Sequence, residues 1–147
     1  MAISAARPSR IRATIAQPIH GILAAYPLAA FTGALLTDIT YANSANMQWA
    51  NFSVWLIAAG VVMGILAAIA GIVDAWMHRG RRRRGRPAWH GVATIVMLVL
   101  ATVNGFVHSR DAWTSVVPDG LILSALTAFL ALVTAWSGYA IERESLR

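Results

Sequence analysis

Four stretches of this chain contain no Asp, Glu, Lys or Arg, and their lengths limit what it can fold into. They cover residues 21–37, 39–73, 91–107 and 120–141. A helix rising 1.5 Å per residue needs about 20 mostly apolar residues to cross a hydrocarbon layer roughly 30 Å thick. A helix packed in a soluble core instead shows a polar face to water, and none of these stretches carries one. Charged residues make up 12% of the chain, against roughly a quarter in a soluble domain. The fold these runs predict is all-α: a four-helix transmembrane bundle of up-down topology. Its spans cover about 18–41, 51–77, 87–109 and 119–141, between an N-terminal segment 1–17 and a tail 142–147.

The charges that remain are segregated. All 12 basic residues are Arg. Threading the four spans puts Arg7, Arg10, Arg12, Arg79, Arg81, Arg82, Arg83, Arg84, Arg86, Arg143 and Arg147 on one side and Arg110 on the other. Positive charge accumulates on the cytoplasmic side of membrane proteins, so both termini are expected there, in a multi-pass protein of the bacterial cytoplasmic (inner) membrane. The loop 79–86 is then a topology determinant, and a contact for anionic headgroups or an acidic partner. A net charge of +6 raises nucleic acid as a partner. The loop is short and has no interleaved aromatics, so no nucleic-acid partner is expected. The chain has no Cys, which removes disulfides, thiolate metal sites and thiol catalysis.

Ionisable groups are costly inside a membrane and mark candidate sites. His20 opens the first span, Asp74 lies a turn inside the end of the second, and His90 opens the third, so all three sit near the cytoplasmic boundary. Two imidazoles on facing helices can ligate a haem b iron axially, with Asp74 orienting one of them through its second nitrogen. The same trio, His20, Asp74 and His90, can ligate a divalent metal. The plainer reading is that these side chains cap helices, meet headgroups or, for Asp74, pair with the Arg loop. On the outer side Asp38, Asn104 and His108 form a second polar group, with Asp38 and His108 positioned for a buried ion pair. His78 adjoins the Arg loop and reads as solvated.

Close helix approach in lipid needs small residues four apart. The rows Ala25, Ala29, Gly33 and Thr37, then Gly60, Gly64 and Ala68 beside Ala67 and Gly71, meet that need. Ala101 with Gly105 and Ala131 with Ala135 do the same in the later spans. These rows suit a compact bundle or a homo-oligomer. Pro18 reads as an early helical residue of the first span, and Pro27 as a kink that frees the carbonyl of Leu23.

The order of these marks resembles a bacterial family of four-helix membrane proteins, domain of unknown function 2231. The marks are His20-Gly21-Ile22-Leu23, Tyr26-Pro27 and Thr37-Asp38-Ile39 in the first span, then Gly71-Ile72-Val73-Asp74-Ala75-Trp76 closing the second. Arg86 through His90 opens the third, and Ser137-Gly138-Tyr139-Ala140-Ile141-Glu142 ends the fourth. Related domains occur joined to Rieske-type iron–sulfur domains, so the resemblance implies membrane redox work. This chain departs from the family's doubled His-Pro start, having Gln17-Pro18 there.

Three functional expectations follow. The first is a non-enzymatic accessory or scaffold bundle, since no catalytic constellation, phosphate loop or metalloprotease motif occurs. The second is a bis-His haem b electron carrier with a redox partner docked at the Arg loop. The third is an ion, proton or metal transport element using Asp38, Asp74 and the His residues.

Overall fold

The computed structural model describes residues 9–77 and 88–145, with side chains at 21–73, 75–76, 88–111 and 113–139. Four helices occupy nearly all of it: α1 (Ser9–Ser44), α2 (Met47–Met77), α3 (Ala88–His108) and α4 (Asp119–Ser145). Each contains a stretch long and apolar enough to cross a membrane, namely Gly21–Ser44, Met47–Val73, Ala88–His108 and, with the turn before α4, Trp113–Tyr139. No strand occurs among the described residues.

The α1–α2 hairpin turns in two residues. Ala45 takes a left-handed conformation with φ 52°, and its N–H donates to the Tyr41 carbonyl at 2.7 Å. That bond satisfies one of the last carbonyls of α1, which have no partner within the helix. Asn46 then caps α2, its Oδ1 accepting from the Gln48 N–H at 3.0 Å. The α3–α4 connection is longer and contains a 3-10 turn over Ala112–Ser115. Both connections lie at one end of the bundle, the hairpin end. Thr37 near the end of α1 meets Ser53 near the start of α2, and His90 near the start of α3 meets Ser137 near the end of α4. Neighbouring helices therefore run antiparallel. Each packs on its sequence neighbour, and α4 closes the ring against α1.

Helix rotation is set by which residues let backbones approach. The buried face of α2 is Ala50, Ser53, Ile57, Gly60, Gly64 and Ala67. Its alternating three- and four-residue steps trace the straight seam of a left-handed helix pair. Phe31 of α1 lies over Gly60, where an added Cβ would come within 2.5 Å of its ring. Gly64 is pressed by Leu98 of α3, with Pro27 of α1 alongside. Phe31 joins Met97, Ala101 and Ala131 in a mid-bundle apolar cluster, flanked by Leu28, Val61, Leu98 and Leu130. At the hairpin end Tyr41, Ala50 and Val116 form a second cluster with Trp49 and Val117. The outward faces carry exposed Trp55, Phe106 and Trp136, which suits a surface solvated by lipid tails.

The structure differs from expectation in two respects. Ala25 and Ala29 are exposed; α1 buries Pro27, Ala30, Phe31, Ala34, Asp38 and Tyr41 instead. In a helix apolar all round, small-residue spacing alone does not select the inward face, and the bulky Phe31 wins because Gly60 makes room for it. Pro18 lies inside α1 rather than at its start, because the helix extends beyond the apolar stretch to Ser9.

Gly60→Ala should destabilise the bundle by about 1–3 kcal/mol, because Phe31 must leave its rotamer or the helices must separate. Gly91→Ala, where a Cβ meets nothing within 4 Å, should leave the melting temperature in detergent unchanged. Equal melting of the two variants would contradict this packing.

Candidate functional site

Asp38 is a carboxylate inside the membrane-capable stretch Gly21–Ser44 of α1, and it is fully buried. In lipid no solvent hydrates such a group, so the protein must supply every hydrogen bond. It does so from two other helices. His108, the last residue of α3, places Nε2 2.9 Å from Oδ1. Ser124 of α4 donates its hydroxyl to Oδ2 at 2.5 Å. Asn104, one turn before His108, donates Nδ2–H to Ser124 Oγ at 2.7 Å. On the fourth helix Ser53 bonds Thr37 Oγ1 at 2.7 Å, one residue before Asp38. All four helices thus meet in one polar layer, about one to two turns from the hairpin end.

Sequence and packing explain how each member is held. Asp38 follows Ala34 by four residues on the buried face of α1, and the small Ala34 leaves space above Phe31 for the opposing side chains. The His108 ring is oriented from behind, with Nδ1 3.0 Å from the backbone carbonyl of Asn104. It packs directly against Gly120, where a Cβ would stand 2.8 Å from the ring and 2.7 Å from the Ser115 carbonyl. Gly120 is thus the contact that admits an imidazole beneath the start of α4. Asn104 Oδ1 is buried and has no hydrogen-bond partner among the described residues. It borders a crevice lined by Phe31, Ala34, Ile57, Ala101, Ser124 and Thr127 that is too narrow for water.

The structure brings Asp38, Asn104 and His108 together. Ser124, Ser53 and Gly120 belong with them and escape sequence reading, since Ser and Gly are common on the packed faces of membrane helices. At the opposite end His90 Nδ1 lies 2.7 Å from Ser137 Oγ. The same hydroxyl lies 2.9 Å from the Thr134 carbonyl. The side chains of His20 and Asp74 lie outside the described residues, as do His78, Arg79, Arg81, Arg82, Arg83, Arg84 and Arg86. Among the described residues no group of three or more His, Asp or Glu side chains is close enough to hold a metal ion.

Fold and site together define a four-helix membrane bundle with a buried carboxylate–imidazole layer at its hairpin end. The chain belongs to the family of predicted membrane proteins known as domain of unknown function 2231, whose model matches residues 16–144. No curated protein and no solved structure matches it.

Removing one partner from a buried pair leaves the other uncompensated, at a cost of about 3–5 kcal/mol. Asp38→Ala should therefore lower thermal stability in detergent by that order. Asp38→Asn, which can still accept from Ser124 and donate to a neutral His108, should cost distinctly less. Comparable losses in the two variants would show that an isosteric amide cannot stand in for the carboxyl, so that the layer depends on its charge or proton rather than on these hydrogen bonds. Gly120→Ala should also destabilise, because the Ser115 carbonyl is backbone and cannot swing aside; a melting curve equal to wild type would refute that contact.

Proposed function

We propose that the protein is a non-enzymatic accessory or scaffold bundle of the cytoplasmic membrane, with both termini on the cytoplasmic side. The observation that carries this reading is the outer polar layer, in which Asp38 engages α3 and α4 with its two oxygens. Both oxygens are consumed by side chains of the same bundle, so the carboxylate acts as a clamp on helix arrangement. In lipid, where apolar surface supplies no net drive for helices to associate, such bonds fix register and partner choice. A bundle clamped in this way presents fixed outward faces and a fixed cytoplasmic surface to other membrane components.

The topology rests on the Arg distribution, eleven residues on the side of the termini and the α2–α3 loop against Arg110 on the other. Arg110 is engaged by Asp119 at 3.2 Å in an exposed pair, which further weakens it as a retention signal. The Arg-rich loop would then lie at the cytoplasmic headgroups, where anionic lipid attracts each Arg.

The test of topology uses the absence of native Cys. Single cysteines at Asn46 and at Gly85, in intact cells, should give labelling by a membrane-impermeant maleimide at position 46 only. Labelling at 85 but not 46 would invert the topology and remove the cytoplasmic assignment.

A further inference from the structure

We propose that Asp38 and His108 form a proton-binding site that holds one proton between them, next to the outer face. The proposal takes its residues from the clamp reading and rests on it for their contact, but its chemistry comes from counting hydrogen-bond donors. A backbone carbonyl only accepts. Because Nδ1 of His108 lies 3.0 Å from the Asn104 carbonyl, Nδ1 carries a hydrogen. A neutral imidazole has one N–H, so with Nδ1 protonated its Nε2 presents a bare lone pair. That lone pair would face an ionised carboxylate oxygen at 2.9 Å, two acceptors in contact with no proton between them. One further proton therefore lies on the Nε2–Oδ1 line, giving either imidazolium and carboxylate or imidazole and carboxylic acid. Both forms are neutral overall, and the proton belongs to the pair rather than to one residue.

Ser124 and Asn104 direct the proton to that line. The amide Nδ2–H of Asn104 donates to Ser124 Oγ, which turns the single hydroxyl hydrogen of Ser124 toward Asp38 Oδ2. Oδ2 is occupied as an acceptor, so the shared proton lies between Oδ1 and Nε2 rather than at Oδ2. Removing it buries a net negative charge, and adding a second buries a net positive charge; both are costly where water is excluded. The site thus has a capacity of one.

Among the described residues the neighbouring elements add no other buried charge. Helix α1 contributes Tyr41, whose hydroxyl lies 3.5 Å from Met47 Sδ. On α2 the facing group is Ser53. The α3–α4 connection contributes exposed Asp111 and the Arg110–Asp119 pair, which is more than half exposed on both sides. Gly120 lies against the His108 ring on the side of that connection, with the Ser115 carbonyl beside it. Loss of the proton also weakens the attachment of α1 to α3, which makes proton occupancy and helix clamping one event.

The test is a proton count on unfolding. Full-length protein in detergent at pH 8, weakly buffered with an indicator dye, is unfolded by a strong denaturing detergent. In the unfolded chain at pH 8 both side chains are deprotonated. Wild type should therefore release about one proton more per molecule than Asp38→Asn, in which every other titrating group is common to both. Equal release would overturn the proposal while leaving the clamp to stand or fall on the melting of Asp38→Ala. A second measurement reads the wild-type site directly: nitrogen-15 spectra of His-labelled protein, with His108 assigned by loss of its signals in His108→Gln. The expected pattern has Nδ1 protonated and a strongly downfield proton at Nε2. A neutral His108 with bare Nδ1 would overturn the proton assignment.

Discussion

A carboxylate buried among apolar helices in lipid has no water to fall back on, and the layer around Asp38 is arranged by that constraint. Its two oxygens must each find a donor, and the donors must come from other helices because α1 offers none at that height. His108 and Ser124 fill those places, and meeting them requires α3 and α4 to stand at one rotation and one vertical register. Gly120 permits the approach by omitting the side chain that would strike the imidazole. Asn104 holds Ser124 and, through its backbone, His108. The orphaned Oδ1 of Asn104 is the cost of that orientation, about 1–3 kcal/mol for an unsatisfied buried acceptor.

Packing below the layer follows different physics. Between the polar layer and His90 the bundle is held by close contact, Phe31 over Gly60 and Leu98 against Gly64. Dispersion falls off steeply with a small gap, so glycines opposite bulky side chains do in the middle of the bundle what hydrogen bonds do at its end. The two devices reinforce each other: the Thr37–Ser53 bond joins α1 to α2 in the register in which Phe31 finds Gly60. At the other end the His90–Ser137 bond ties α3 to α4, which places one imidazole near each end of α3, 18 residues or about 27 Å apart.

Much of the architecture was legible in residue order because hydrocarbon tolerates so few charges. Four charge-free stretches allow little but four spans, although the first two are separated only by Asp38, which lies within α1 and not at the turn that follows it. The pairing of Asp38 with His108 was legible for the same reason: up-down threading puts both near one boundary, and two ionisable groups buried there seek each other. Less was legible about rotation. Ala25 and Ala29 carry the spacing of a packing face yet point outward, because the choice of face depends on Gly60 of another helix. Ser124 and Gly120 were invisible as site members, since neither differs in type from many Ser and Gly residues on packed helix faces.

Composition and order alone thus determined the number of helices, their membrane-spanning character and the family to which the chain belongs, all of which follow from where charge is missing. They also determined that Asp38 and His108 share a level, since level depends only on counting residues along helices of known rise. Tertiary structure decided which face of each helix turns inward, which hydroxyl completes the carboxylate, and which imidazole nitrogen faces it. Those are properties of contacts between helices, where a side chain's partner lies up to 86 residues away in sequence and is chosen by steric fit. A pattern read along one helix that is apolar on every side contains no term for that fit.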